Sequence, residues 1–484
     1  MTRRQDVLDL WLDARHIGQL LRGAEGQVEF LYDADYRSDA ETTPLSVSMP
    51  KTQAGHGPDR VMPWLSNLLP DAVEVRDRWA AKFGERRNDP FTLLRHMGQD
   101  APGSVQVVPE GMMPASAGSL SSISDARIAE RVQGILVDPD HWVDDGDQDE
   151  SRFSLGGIQG KFALARIGER WFEPNGRAAS THIVKPGMAI VSGVTNAAVQ
   201  AVEYVTMRAA RLVGVPAAAV EICDFAGISA FVTTRYDRRV QGDGSVLRIH
   251  QEDFCQALGV FPARKYEEDG GPTMADMARL VREAASLAYL DNDQRALTRL
   301  FAFNLLTAGV DAHAKNHSLL LAGQGVRLAP AYDLISAHGI WDADRVRHKS
   351  SAAVKYGNSR RFRSITGRDI ARTADVLGTD REGFVELLGD LGRALPESFE
   401  AALAELPKGI ADERALRLPE HVSDFANSVV GRVSASDLAR ENTPTFAPTE
   451  QVAAGATSGH VWVPGRWVRD SWRSGHYRSR STQR

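Results

Sequence analysis

Three polar residues near the middle of the chain have the spacing of a phosphoryl-transfer centre. Asp311 is followed five residues later by Asn316, and Asp333 lies beyond a short predicted hairpin. In kinases, the Asp at the start of this spacing accepts the proton of the substrate hydroxyl, and the Asn binds Mg²⁺. Asp333 would supply a second ligand to the metal. The spacing therefore predicts transfer of a phosphoryl group from ATP, a reaction that depends mainly on positioning and on neutralisation of charge.

Two residues between Asp311 and Asn316 are further candidates for the catalytic site. His313 is interpreted as a brace of the loop, and a pH-sensitive part in catalysis is the alternative. Lys315 is predicted to contact the transferring γ-phosphate, and a lysine on the protein surface is the alternative.

A glycine-rich segment precedes a predicted strand in the first half of the chain. Its glycines allow backbone amides to approach phosphate oxygens closely. The segment lacks the Walker A pattern and no helix follows it, which disfavours a P-loop NTPase. A glycine turn in a β-hairpin is the alternative interpretation. The candidate nucleotide-binding residues of this segment are Ser154, Gly156, Gly157, Gln159 and Lys161.

Lys185 and Glu203 have the order expected of a second nucleotide-binding element. Lys185 ends an apolar strand, and Glu203 lies on the helix predicted to follow. In a kinase, a lysine at this position contacts the α- and β-phosphates and pairs with a helix Glu. The alternatives are a lysine on the protein surface and a Glu on a solvated helix face. Because the two residues occur in the order that a kinase requires, the nucleotide-binding interpretation stands beside these alternatives.

The composition is that of an ordinary globular protein. The chain has 484 residues, enough for two or three domains, with 43% hydrophobic and 25% charged residues. A net charge of −6 gives no general signature of nucleic-acid binding. Neither a membrane-spanning apolar run nor a signal-peptide core is present, and two cysteines cannot form a disulfide framework. We therefore expect a cytoplasmic protein with no membrane partner.

The order of the elements predicts an α+β protein with two kinase-like lobes. Strands and helices predict a small α/β subdomain over 1–110, and small polar and then acidic residues predict a linker and acidic loop over 111–150. Strands predict a nucleotide-binding N-lobe over 151–240. An all-α C-lobe with one hairpin is predicted over 241–440. The Arg- and Trp-containing tail over 441–484 is predicted to be disordered, with a partner- or polyanion-binding tail as the alternative.

With these residues, the chain resembles the HipA family of bacterial serine/threonine kinases, the toxins of HipA–HipB toxin–antitoxin pairs. The resemblance covers nearly all of residues 6–437 in the same order. It implies a HipA/phosphatidylinositol-kinase-like fold. Besides the segments already named, the motifs that carry the resemblance are Leu68-Leu-Pro-Asp71, Val75-Arg-Asp-Arg78, Arg235-Tyr-Asp-Arg-Arg239, Gln251-Glu-Asp-Phe-Cys-Gln256 and Lys265-Tyr-Glu-Glu-Asp-Gly-Gly-Pro272.

The resemblance implies a role for each catalytic residue. Asp311 would be the catalytic base, Asn316 and Asp333 would bind Mg²⁺, and Lys185 would hold the phosphates of ATP. The backbone near Thr234 and Tyr236 would contact the adenine, although the family often has Glu where this chain has Thr234.

The resemblance also implies that Ser154 is an inhibitory autophosphorylation site. A phosphate there would add nearly two negative charges beside those of ATP, which would switch the enzyme off.

The function implied is that of an ATP- and Mg²⁺-dependent protein kinase that acts as a growth-inhibiting toxin. Its partners would be a HipB-like helix-turn-helix antitoxin, which binds operator DNA, and a protein substrate such as an aminoacyl-tRNA synthetase of the glutamyl type. Phosphorylation of that substrate would slow translation. One alternative is a degenerate kinase that works as a binding module or co-repressor with its antitoxin, and another is a kinase for a small molecule or a lipid.

Overall fold

The computed structural model describes most of the chain between residues 6 and 438, and the backbone of four short segments beyond it. Within the described part, no helix is both long enough and apolar enough to span a membrane. The candidates Ser154, Gly156, Gly157 and Gln159 lie outside it, as does the predicted acidic loop. The described residues are 6–12, 14–114, 118–138, 160–176, 178–186, 199–323 and 325–438, with backbone alone for 189–191, 194–196, 460–463, 466–468, 471–473 and 476–479.

The N-terminal unit is an antiparallel sheet and four helices that share one hydrophobic core. Alternating apolar residues place Leu8, Leu10 and Leu12 on the buried side of the first strand. The elements are β1 (Asp6–Leu12), β2 (Arg15–Arg22), β3 (Val28–Tyr32), α1 (Ala34–Ser38), β4 (Gly55–His56), α2 (Pro58–Asn67), α3 (Val73–Lys82), α4 (Pro90–Met97) and β5 (Val105–Pro109). The strand order in the sheet is β4-β3-β2-β1-β5.

The second unit is a six-stranded antiparallel sheet. Its elements are β6 (Gly118–Ser122), α5 (Asp125–Val137), β7 (Phe162–Ile167), β8 (Arg170–Gly176), β9 (His182–Pro186), β10 (Ala189–Val191), β11 (Val194–Asn196), α6 (Val199–Leu212), β12 (Val220–Phe225) and β13 (Ile228–Thr234). The sheet has the order β12-β13-β9-β7-β8-β6, so Lys185 lies on an inner strand. Apolar residues of α5 pack in the same core as β7, β9 and β13.

Two predictions for this region are wrong. The predicted linker contains β6, which pairs with β8 at the edge of the sheet. Its residues are largely exposed, so it lacks the apolar alternation that marks a half-buried strand. Apolar residues at helical spacing predict that the helix containing Glu203 begins at Asn196. Instead, Val194–Asn196 form β11 and pair with β10, and the described part of the helix is Val199–Leu212.

The third unit is mostly helical and contains the largest hydrophobic core. The prediction of an all-α lobe with one hairpin is wrong, because β16, β17 and β18 form a three-stranded sheet and two further strand pairs occur. The elements are β14 (Arg238–Val240), β15 (Val246–Arg248), β16 (His250–Asp253), α7 (Phe254–Leu258), α8 (Met274–Ala284), α9 (Leu290–Leu306), β17 (Ser318–Ala322), β18 (Gly325–Leu328), α10 (Ala343–Lys349), β19 (Ser351–Tyr356), β20 (Ser359–Arg361), α11 (Gly367–Leu377), α12 (Arg381–Ala404), α13 (Glu413–Leu416), α14 (Leu418–Val430) and α15 (Ala435–Leu438).

The composition predicts a disordered tail, but the described backbone of the tail contains regular structure. Two antiparallel strand pairs occur there, β21 with β24 and β22 with β23. These strands are β21 (His460–Val463), β22 (Arg466–Val468), β23 (Ser471–Arg473) and β24 (His476–Ser479).

A buried ionic network joins the N-terminal unit to the segment that follows β13. Asp100 accepts hydrogen bonds from the Ser180 hydroxyl at 2.5 Å and from Arg238 at 3.0 Å. Asp237 accepts a hydrogen bond from Arg235 at 2.9 Å and another from the amide of Gly103 at 2.7 Å. Although burial opposes it, the guanidinium groups of Arg235 and Arg238 hold the pKa of Asp100 well below its usual range. The network fixes the N-terminal unit where the two lobes meet.

A second junction joins the N-terminal unit to the helical lobe. The amide of Val47 donates to Glu252 Oε1 at 2.8 Å, and His250 contacts the carbonyl oxygen of Leu45 at 2.8 Å. Burial raises the pKa of Glu252 to about 8. The N-terminal unit is therefore held to both lobes by buried polar contacts.

Candidate active site

Lys185 lies between two carboxylates that come from different lobes. Its Nζ is 2.7 Å from Glu203 Oε1 and 2.5 Å from Asp333 Oδ1. The side chains of Lys185 and Glu203 are both less than a tenth exposed. Glu203 faces Lys185 because α6 packs across the sheet that contains β9, as the order of the two residues predicts. Both residues are buried, so the surface alternatives for them are wrong.

The charged side chains around Lys185 shift one another's pKa values, because they are buried and poorly solvated. Burial raises the pKa of Glu203, while Lys185 opposes this rise. Burial also acts to raise the pKa of Asp333, but Lys185 and Lys161 hold it well below its usual range. For Lys161, burial together with Lys185 lowers the pKa to about 8. These residues therefore form one electrostatic cluster.

Asp333 has a backbone conformation that few residues other than glycine adopt. Its φ angle is +53°, in the left-handed region. Strained backbone conformations of this kind cluster at functional sites, where contacts with the surrounding structure hold them in place. The side chain is 37% exposed, so one oxygen can bind Lys185 while the carboxylate still faces the cleft.

Asp311 is the most exposed acid of the cleft and is oriented by two neighbours. The Tyr266 hydroxyl donates to Asp311 Oδ1 at 2.5 Å, and the Asn316 amide nitrogen donates to Asp311 Oδ2 at 3.3 Å. The Asp311 side chain is 42% exposed. Asp311 Oδ1 also lies 3.6 Å from Nε2 of His313, and the exposed part of the carboxylate is open to the cleft.

His313 occupies the position expected of a brace. Its ring packs edge-on against Tyr266, with 4.7 Å between ring centroids, and its side chain is almost completely buried. Burial lowers the pKa of His313 to about 4, although Asp311 opposes this. A neutral, buried imidazole supports the loop that contains Asp311.

Lys315 is buried, so its interpretation as a surface lysine is wrong. Its ammonium group binds Asp71 of the N-terminal unit, whose second oxygen accepts a hydrogen bond from Lys265 at 2.7 Å. Although burial acts in the opposite direction, Lys315 and Lys265 lower the pKa of Asp71 to about 2. The catalytic loop is thus tied by charge to a unit that lies outside the two lobes.

Thr234 and Tyr236 lie in the segment that leaves the six-stranded sheet. The Thr234 amide donates to the carbonyl oxygen of Ala219 at 2.9 Å. The Tyr236 hydroxyl donates to Gln251, and its ring stacks on Tyr332 with 5.7 Å between centroids. The segment connects the six-stranded sheet to the third unit, and Tyr332 directly precedes Asp333 in the chain.

The donor set of the cleft fits ATP with Mg²⁺. Asn316 donates through its amide nitrogen, so that hydrogen bond does not consume the amide oxygen, the atom that binds metal. Asp333 supplies carboxylate oxygen, and hard cations prefer oxygen ligands. Lys161 and Lys185 supply positive charge for phosphates. Within the described residues, no cluster of three or more His, Cys, Asp or Glu could hold a metal ion.

Three residues near this cleft have no role predicted from the sequence. Asp71, Lys265 and Tyr266 lie in motifs that carry the family resemblance, yet neither motif is part of a kinase signature. Motifs that carry the resemblance without matching a kinase signature could have indicated a further role for these residues. In the folded chain, the two motifs meet at the loop that contains Asp311 and Lys315.

Comparison with protein families decides the identity of the fold. The HipA-like C-terminal domain matches residues 153–399, and the HipA N-terminal domain matches residues 8–108. The chain belongs to the HipA family. It is 36% identical over 335 residues to the putative kinase Y4mE of Sinorhizobium fredii, covering 68% of this chain and 77% of that protein. It is 29% identical over 417 residues to the serine/threonine-protein kinase toxin HipA of Shewanella oneidensis, covering 82% and 90%.

A solved structure supports the same assignment for this HipA-family chain. HipA of Shewanella oneidensis MR-1, in a complex with HipB and its operator DNA, superposes with a TM-score of 0.73 at 26% identity. The match covers 88% of this chain and 97% of that one. The predicted membership of the family and the predicted fold class are therefore confirmed.

Proposed function

We propose that this HipA-family protein is an ATP- and Mg²⁺-dependent serine/threonine protein kinase and the toxin of a toxin–antitoxin pair. The observation that carries the proposal is that Asp311, Asn316 and Asp333 line one cavity, and that Asp333 in turn binds Lys185, the partner of Glu203. Phosphoryl transfer needs these parts together, because the phosphates must be held while a hydroxyl approaches a base. The names of two relatives, a putative kinase and a kinase toxin, support the same activity.

In the proposed reaction, the cleft residues divide the work of binding and of proton transfer. Lys185 binds the phosphates of the nucleotide, and Glu203 keeps the lysine oriented. Asn316 and Asp333 would hold Mg²⁺, which supplies charge neutralisation to the phosphates when bound. Asp311 accepts the proton of the attacking hydroxyl, and the hydroxyl oxygen then forms the new bond to phosphorus as ADP leaves.

We propose Ser154 as the site of inhibitory autophosphorylation. Ser154 lies in the glycine-rich segment, outside the described residues. The proposal rests on the resemblance and on charge, because a phosphate in the glycine-rich segment would compete with those of ATP for cations.

The decisive test is intact-mass measurement of dephosphorylated protein after incubation with ATP and Mg²⁺. The wild-type protein is expected to gain phosphate on Ser154, and the Asp311→Asn variant to gain it roughly 10²–10⁴ times more slowly, because the base is lost. A wild-type mass that stays unchanged would contradict kinase activity. Growth inhibition that persists at full strength in the Asp311→Asn variant would favour a binding module or co-repressor over a kinase toxin.

The proposed partners are an antitoxin and a translation enzyme. The relative of known structure is bound to HipB and operator DNA, so we propose a HipB-like helix-turn-helix antitoxin here, with DNA contacted through the antitoxin. The proposed substrate is an aminoacyl-tRNA synthetase, such as the glutamyl enzyme. Phosphate transferred to that purified enzyme by wild-type protein, and not by Asp311→Asn, would support this substrate. Transfer to lipid or a small metabolite alone would contradict it.

A further inference from the structure

The N-terminal unit contributes a charged residue to the centre of the kinase cleft. We propose that Asp71 is a positioning residue for phosphoryl transfer, which fixes Lys315 in the catalytic loop and, through Lys265, the tyrosine that orients the base. The inference rests on the kinase activity proposed above. It assigns the N-terminal unit a part in the reaction itself.

The path of the chain around Asp71 is fixed by contacts with the helical lobe. Asp71 follows α2, and the side chain of Asn67, the last residue of α2, donates to the carbonyl oxygen of Val260 at 2.9 Å. Gln256 of α7 donates to the carbonyl oxygen of Trp64 at 3.1 Å. These two hydrogen bonds hold α2 against the segment that leads to Lys265. Asp71 therefore reaches the cleft from a docked element.

The three charges of the cluster are almost completely buried. The side chains of Asp71, Lys265 and Lys315 are 13%, 11% and 6% exposed. Two ammonium groups share one carboxylate, so loss of Asp71 would leave two like charges close together in a poorly solvated interior. Such charges repel more strongly than they would in water, and Lys315 would leave its present position. Because Lys315 adjoins Asn316, its movement disturbs the loop that holds the metal ligand and the base.

A second connection leads from Asp71 to the catalytic base. Lys265 binds Asp71 through its side chain, and its carbonyl oxygen accepts a hydrogen bond from the amide of Ala314 in the catalytic loop at 3.3 Å. The next residue, Tyr266, donates its hydroxyl to Asp311 at 2.5 Å. One carboxylate thus secures both the catalytic loop and the hydroxyl that sets the orientation of Asp311. A base oriented by a third group is the arrangement that efficient proton transfer requires.

The test separates positioning from stability by restoring charge balance without restoring the carboxylate. The Asp71→Asn variant keeps the shape of the side chain and leaves both lysines unpaired. The Asp71→Asn/Lys265→Met double variant returns the cluster to its wild-type net charge, while Lys315 still lacks its partner. The control is Asp59→Asn, whose carboxylate is exposed and lies on the opening turn of α2. For each dephosphorylated protein, the autophosphorylation rate at saturating ATP, the ATP concentration giving half that rate, and the midpoint of thermal unfolding are measured.

We expect the rate at saturating ATP to fall by about 10²-fold in Asp71→Asn, because a small displacement of catalytic groups has this effect. The ATP concentration for half-maximal rate is expected to stay close to that of the wild type, since Lys185 is untouched. In the double variant, the unfolding midpoint is expected to recover while the rate stays low. The control is expected to match the wild type in all three quantities.

Two results would overturn the inference while leaving the proposed function intact. One is a rate in the double variant that recovers together with the unfolding midpoint, which would show a purely structural role. The other is an Asp71→Asn variant that reacts as fast as the wild type. An inactive wild-type protein would instead refute the kinase activity and, with it, this inference.

Discussion

Lys185 carries its positive charge between a carboxylate of the N-lobe and one of the C-lobe. Glu203 and Asp333 would repel each other in the buried interior if this charge were absent. We therefore propose two tasks for the lysine at the residue scale, which are to bind phosphates and to hold the two lobes in register at the cleft. Tyr266 likewise orients an acid of the cleft, because its hydroxyl donates a hydrogen bond to Asp311 and so restricts the rotation of that carboxylate.

Replacing Lys185 with Met tests the first task. We expect phosphorylation to slow by about 10²-fold, because removal of one fixed donor to a developing charge has an effect of this size. The rate is followed by intact mass under saturating ATP. Lys408→Met, at an exposed position, serves as the control and should leave the rate unchanged. A Lys185→Met protein that reacts at the wild-type rate would show that the phosphates are held elsewhere.

The loop between α7 and α8 shows how a short element positions a catalytic group. It contains Lys265, Tyr266 and Gly271, and the Gly271 amide donates to the carbonyl oxygen of Tyr266 at 3.0 Å. A Cβ atom at Gly271 would lie 1.9 Å from the carbonyl oxygen of Arg264 and 2.6 Å from that of Tyr266. Both atoms belong to the backbone, so a side chain cannot be accommodated without moving the loop.

The Gly271→Ala variant should therefore lose stability and activity together. We expect the free energy of unfolding to fall by about 1–3 kcal/mol, the usual range for overpacking, and phosphorylation to slow because Tyr266 is displaced from Asp311. Urea unfolding and intact mass measure the two effects. Gly134→Ala provides the contrast, because nothing lies near its added Cβ and alanine favours a helix, so stability should rise by up to about 1 kcal/mol. Equal stabilities for the two variants would contradict this account of the loop.

The elements differ in how well the sequence predicts them. The strands at Phe162–Ile167 and Ile228–Thr234 follow directly from their apolar residues, and the cap of α5 at Ser124 follows from its residue type. The edge strand β6 leaves no such pattern because both of its faces are largely solvated.

Among the described residues of the site, those predicted to lie in the cleft come together, as their order along the chain suggests. They are Asp311, Asn316, Asp333, Lys185 and Glu203. Contacts between Asp71 and Lys315 could not be predicted, because they join residues distant in sequence through the docking of two units. The assigned roles of the cleft residues remain predictions.

At the scale of the whole molecule, the N-terminal unit is attached to both lobes. Asp100 binds Ser180 and Arg238 where the lobes meet, and Glu252 binds the backbone of Val47 at the helical lobe. Glu252 is completely buried, and that burial raises its pKa to about 8, from an ordinary value of 4.5. The junction with the helical lobe is therefore expected to depend on pH.

The sign of this dependence follows from the direction of the pKa shift. Because the folded-state pKa is raised, the contribution of Glu252 to stability is fully present below about pH 4.5 and is lost as the pH rises through about 8. Glu252→Gln keeps an acceptor for Val47 and does not titrate. The free energy of unfolding of the variant minus that of the wild type should therefore increase, by on the order of a few kcal/mol, as the pH is raised from mildly acidic to alkaline. Urea unfolding at about pH 5 and about pH 9 measures this, with the exposed Glu29→Gln as control. A pH-independent difference between the variant and the wild type would contradict it.

The Asp100 network also limits how the cleft can open. Rotating the N-lobe away from the C-lobe would pull Ser180 from Asp100, or else carry the N-terminal unit along and pull Asp71 from Lys315. The first movement would break a buried hydrogen bond, and the second would separate a buried ion pair, so both are opposed by desolvated polar contacts. The angle between the lobes is therefore set by a unit that belongs to neither lobe.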